Sequence, residues 1–131
     1  MRAVHRWIGL LTVVVFLISG QFLRHHHPPI DTLSDSARLM LRSRHIYILS
    51  SGLVNLMLGL YVQRGLGWRG VVQLIGSGLV MVSPALLVLA FVVETPRGFQ
   101  AEMVWSHLGL YALFGGCMLH LVGAMDGRFA R

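Results

Sequence analysis

The chain has 131 residues, 55% of them hydrophobic and only 12% charged, and its formal net charge of +6 rests on arginine with no lysine. A water-soluble domain of this length needs far more charge to cover its surface, so the composition points to one all-α integral membrane domain over residues 1–131. The arginines flank apolar runs and form no long basic tract, which argues against nucleic acid as a partner and assigns them to anchoring and topology.

A four-transmembrane-helix bundle is expected, with spans at about 7–23, 46–62, 71–93 and 103–125. Met1-Arg2 ahead of an apolar run is also how a leader begins. Ser19-Gly20-Gln21 lacks the Ala-x-Ala cleavage pattern, however, so the run is expected to stay as a helix. Residues 24–45 form the longest loop, where Pro28-Pro29 stops the first helix and favours extended backbone. Thr32-Leu33-Ser34-Asp35 resembles a capping box with Ser34 or Thr32 as N-cap. Leu33, Ala37, Leu41 and Ile48 then share a face, as in an amphipathic turn lying at the membrane interface.

The second span holds one strongly polar residue, Asn55, among the small residues Ser50, Ser51, Gly52 and Gly59. A glycine-rich turn with Trp68 and two arginines leads to the third span, which has no ionisable residue. There Gly76, Ser77, Gly78 and Pro84 predict close helix packing and a kink. Glu94-Thr95-Pro96-Arg97-Gly98 reads as a tight turn before the fourth span. Cys117 is the single cysteine, lies mid-span, and is expected to pack as a small apolar group.

Four spans place both termini on one side. Six arginines (Arg2, Arg6, Arg64, Arg69, Arg128, Arg131) lie on that side and five (Arg24, Arg38, Arg42, Arg44, Arg97) on the other, a small bias toward cytoplasmic termini. A multi-pass protein of the bacterial inner (cytoplasmic) membrane is the matching location.

The fourth span carries His107 and His120, thirteen positions apart in an otherwise apolar segment. An imidazole in hydrocarbon is costly, so each one asks for a partner. A rise of about 1.5 Å per residue sets them roughly 20 Å apart along the axis, and about 100° per residue sets them roughly 140° apart around it. They therefore face different neighbours. Alternating span direction gives His107 a partner at similar depth in His45, near the outer face, and gives His120 the shallower His5, near the inner face. Paired histidines of this kind suit a haem b iron, with one haem favoured over two and the His45–His107 pair as the better matched site.

Gly52 and Gly59 follow His45 by seven and fourteen positions, Gly9 and Thr12 follow His5 by four and seven, and Gly109, Gly116 and Gly123 repeat every seven. Glycine beside a histidine removes bulk where a macrocycle edge would lie; the same spacing also marks close helix contact. Arg42 and Arg44 outside, and Arg2, Arg6 or Arg69 inside, are candidates to meet propionate carboxylates. His25, His26 and His27 form a separate cluster that adjacent side chains rarely turn into a fixed copper or zinc site; a polar interfacial loop is the plainer reading.

His5-Arg6-Trp7-Ile8-Gly9, with Ser19-Gly20 at the end of the span, resembles the His-Arg-Trp-x-Gly helix of PepSY-associated membrane proteins. It is also similar to the first helix of small bacterial cytochrome b561-type proteins. The likeness covers about twenty residues of the first helix. It implies a four-helix membrane bundle that holds haem b between histidines, with His5 a ligand candidate, and moves electrons to or from quinone.

The residues and the resemblance together lead to one expectation: a haem b electron-transfer protein, a membrane oxidoreductase if it is an enzyme. Its partners would be the lipid bilayer and a quinone or periplasmic redox protein. A non-catalytic subunit or scaffold, whose glycine faces pack against partner helices in a homo- or hetero-oligomer, is the alternative. A copper-binding membrane protein is the second.

Overall fold

The structure, a computed structural model, describes residues 1–25, 29–63, 65–94 and 103–125. These residues form four α-helices: α1 (Arg2–Arg24), α2 (Asp35–Tyr61), α3 (Trp68–Glu94) and α4 (Val104–Met125). A single 3-10 turn, Ile30–Thr32, precedes α2. Helices α1, α3 and α4 are long and apolar enough to cross a membrane; α2 falls short. Its first ten residues carry Asp35, Arg38, Arg42 and Arg44, which no apolar window of membrane length can avoid entirely.

Helix α2 starts ten residues before the end of the expected loop. Ser34 is its N-cap, accepting from Ala37 N–H at 3.4 Å, and nothing between residues 35 and 61 breaks the helix. The expected interfacial turn and second span are thus one helix of 27 residues, about 40 Å long. Helix α3 has the same length and continues past Pro84 without interruption.

Consecutive helices are antiparallel, as two hairpins. In one, Gly9 of α1 lies against Gly52 of α2; a Cβ on Gly9 would sit 2.8 Å from the Gly52 carbonyl oxygen. In the other, a Cβ on Gly116 of α4 would sit 2.7 Å from the Gly76 carbonyl oxygen and 2.6 Å from Val80 of α3. Backbones meet where side chains are missing, as helices in hydrocarbon do. Helices α2 and α3 join the hairpins, whereas α1 and α4 are not among the helix pairs in extended contact.

The burial pattern is inverted relative to a soluble bundle. Apolar side chains such as Trp7, Ile18, Val71, Phe114 and Leu121 face outward, while His5, Asn55, Ser77, Glu94 and His120 are buried. Leu23, Leu41, Ile48, Leu87 and Phe91 make a small apolar cluster toward the end of the bundle where α1 stops and α2 begins.

At that same end Glu94, the last residue of α3, ties three helices together. Its Oε1 accepts Trp105 N–H at 2.6 Å and Ser106 N–H at 3.3 Å, its Oε2 accepts the Ser106 hydroxyl at 2.5 Å, and Arg44 Nη2 lies 3.3 Å from Oε2. The carboxylate thereby caps the first turn of α4, where free N–H groups and the helix dipole both favour negative charge. Side chains of Arg44 and Glu94 are 3% and 2% exposed, so neither charge has water to fall back on. Glu94→Ala is expected to destabilise the protein by about 3–5 kcal/mol, because it removes a buried carboxylate from beside a buried guanidinium and uncaps α4. Thermal unfolding in detergent measures this, with Arg38→Ala, at the exposed pair with Asp35, changing stability by less than about 1 kcal/mol.

Candidate functional site

The end of the bundle nearer Met1 holds two of the four candidate histidines side by side. His5, 0% exposed, lies in the first turns of α1 on the inward stripe it shares with Gly9 and Thr12. His120, also buried, projects from α4 on the stripe Ser106, Gly109, Leu113, Gly116, His120, Gly123. Their ring centroids are 6.5 Å apart with the planes at 69°. His5 looked too shallow when depth was counted from the ends of the apolar runs. Helix α1 overruns its end and is already formed at Arg2, whereas α4 keeps close to its expected bounds, and residues 5 and 120 meet.

Each ring has a different environment. His120 Nε2 lies 3.0 Å from the Ser77 hydroxyl of α3. His5 Nδ1 lies 2.8 Å from Asn55 Oδ1, in the last third of α2, while His5 Nε2 is buried without a hydrogen-bond partner. Asn55 is itself held: its Nδ2 donates to the carbonyl oxygens of Ser51 and Val80, each at 3.0 Å. The Val80 carbonyl is available because its usual helical donor, four residues on, is Pro84, which has no N–H.

Cavities of about 530 and 940 Å³ both reach His120. The smaller is lined by Met1, Arg2, Val62, Gly65 and Gln73 among others, so it opens at the end of the bundle where α1 begins. Arg2 Nε donates to the Val62 carbonyl at 2.7 Å, and Gln73 Oε1 accepts Gly65 N–H at 2.8 Å, closing the rim.

His45 and His107 each have other ring neighbours in the structure. His45 sits between α1 and α2, stacked on Phe16 at 4.1 Å between centroids, with Nδ1 2.9 Å from the Ser19 hydroxyl. His107 is exposed and stacks on Tyr111 of its own helix. The inward stripe of α4 runs through Ser106, and the neighbouring position is turned about 100° away.

The glycines have a different use from the one proposed for a macrocycle. A Cβ on Gly52 would meet Thr12 at 3.1 Å, one on Gly59 would meet Arg6 at 2.6 Å, and Gly116 is filled by α3. Their space is taken by neighbouring helices. Arg42 is exposed with Asp31 at 3.9 Å, and Arg44 is committed to Glu94, so neither waits for a propionate at the outer end. His25 is exposed, with its Nδ1–H on the Gln21 carbonyl at 2.9 Å; His26 and His27 lie outside the described residues. Among the described residues no three His, Cys, Asp or Glu side chains converge as a metal site.

Asn55 and Ser77 were visible as polar residues in apolar spans but had no assigned partners. The signal that links Asn55 to α3 is Pro84, through the carbonyl it leaves free. Glu94 was read as part of a turn, and only the return of α4 reveals it as a cap. No family model matches the chain, and neither does any curated protein or solved structure.

Gly116→Val tests whether that glycine serves helix contact or clears space. Contact predicts a loss of about 1–3 kcal/mol from overpacking. Gly78→Ala, where a Cβ meets nothing within 4 Å, is expected to be neutral or stabilising. Unfolding midpoints of the two variants in one detergent give the comparison, and a tolerant Gly116 speaks for open space.

Proposed function

We propose that the chain is a four-span protein of the bacterial inner membrane, with cytoplasmic termini, that holds one haem b between His5 and His120 and passes electrons. The observation that carries the reading is the pair itself. Two imidazoles from helices far apart in sequence meet inside the bundle, and one of them keeps a buried nitrogen without a partner. An unsatisfied polar atom in such a place costs about 1–3 kcal/mol, which a ligand bond would offset.

His5 and His120, with ring centroids 6.5 Å apart, are the residues that would hold the haem, each through a ring nitrogen. Room for a macrocycle is supported by the side of the bundle where α1 and α4 lack extended contact, and by the cavity beside His120. Arg2, on the wall of that cavity, is the residue placed to meet a propionate carboxylate. In this reading α2 is the fourth span, its Asn55 and Ser51 turned inward and its charged first third at the membrane surface.

A bound haem supplies a one-electron couple. Two histidine ligands leave no open position for oxygen or substrate, which favours electron transfer over oxygen chemistry. With cytoplasmic termini the site lies toward the cytoplasmic end of the bundle, which favours a quinone in the bilayer over a periplasmic protein as the partner. The scaffold alternative loses its main support, since Gly9, Gly52, Gly59, Gly76 and Gly116 are covered within the chain.

The test is a reduced-minus-oxidised difference spectrum of protein purified from cells well supplied with haem. A b-type spectrum is expected in the wild type and in His107→Ala, and its loss in His5→Ala and His120→Ala. Absence of a Soret band from the wild type would reject the haem reading; loss of haem in His107→Ala but not His120→Ala would move the site to the outer end.

A further inference from the structure

His5 can carry its proton on either ring nitrogen, and the choice decides which nitrogen can bind anything. The helices around it leave only one choice. Pro84 removes an N–H from α3 and frees the Val80 carbonyl. Asn55 Nδ2 takes that carbonyl at 3.0 Å and the Ser51 carbonyl, also at 3.0 Å. Both are acceptors only, so both amide hydrogens are used and the amide cannot be turned over without setting oxygen against oxygen. The amide oxygen is therefore the atom 2.8 Å from His5 Nδ1. An oxygen that only accepts requires a donor opposite it, so Nδ1 bears the hydrogen. The lone pair of a neutral ring is then on Nε2, the nitrogen buried without a partner. An imidazolium is the poorer description, because it would bury an unpaired N–H and a charge together.

We infer that Asn55 is a positioning residue, holding His5 as the Nδ1–H tautomer so that Nε2 is presented as the ligand atom of the intramembrane site. Histidine ligands are commonly oriented in this way by an acceptor on the other nitrogen, which fixes the tautomer and raises ligand basicity. The ligand role rests on the haem reading above; the tautomer does not. His120 is set differently, since its Nε2 already lies 3.0 Å from the Ser77 hydroxyl, a group able to donate or accept. The two rings are thus unequal, and His5 is the one held ready.

Two measurements test the inference on the full chain. In haem-free protein labelled with ¹⁵N-histidine, the His5 signals are identified by their loss in His5→Gln. They are expected to show a protonated Nδ1 and a bare Nε2, and Asn55→Leu is expected to move the population toward Nε2–H. A wild type protonated on Nε2, or a pattern unchanged by Asn55→Leu, overturns the proposal, and the wild-type result stands even if Asn55→Leu fails to fold.

With haem, Asn55→Leu is expected to weaken haem binding by about 10- to 100-fold. Asn55→Asp, which keeps an acceptor and adds charge, should retain haem with a more negative midpoint potential. An unshifted potential at equal haem occupancy overturns the positioning role. A wild type that takes up no haem removes the haem reading alone, because the ¹⁵N measurement still decides the tautomer.

Discussion

The carboxylate of Glu94 joins three helices at one point: it ends α3, caps α4 and faces Arg44 of α2. In apolar surroundings a charge and a set of free N–H groups cannot be left to solvent, and this contact satisfies both at once. It also sets where α4 starts. With the first turn of α4 pinned to the end of α3, Ser106, Gly109, Leu113, Gly116, His120 and Gly123 fall on the inward stripe, and His107 falls outside it. The turn of α4 that Glu94 caps and the buried His120 thus lie on one face of the helix.

Between those two ends the helices are held by absence of side chains and by single hydrogen bonds. Gly9 against Gly52 and Gly116 against Gly76 bring backbones together within each hairpin. Asn55 to Val80 and Ser83 to the Gly109 carbonyl cross from α2 to α3 and from α3 to α4. Among the described residues α1 and α4 are not in extended contact. That pair contributes the two facing histidines.

Pro84 has two consequences where the periodicity suggested one. Its ring makes it a kink candidate, but its missing N–H is what reaches the site. The freed Val80 carbonyl orients Asn55, and Asn55 orients His5. Neither step involves contact between Pro84 and a histidine. A substitution in α3, without any change at the ring, could therefore alter the chemistry of His5.

Helix content, the order of the elements, the Ser34 cap and the apolar character of α1, α3 and α4 followed from composition, capping residues and periodicity, because these depend on neighbours within a few residues. The 140° separation of His107 and His120 around one helix was legible for the same reason. Three things were settled only by the folded chain. The extension of α2 back to Asp35 merged an expected loop with a helix, since no breaker interrupts it. The depth at which His5 meets His120 depends on how far α1 overruns its apolar run. The partner of each polar group depends on which backbone comes close: a glycine at a seven-residue spacing reads the same whether a macrocycle or a helix fills its space. Within one helix the sequence determined direction; across helices only tertiary packing decided who was met, because helical geometry fixes angles along a segment but not the distance to the next one.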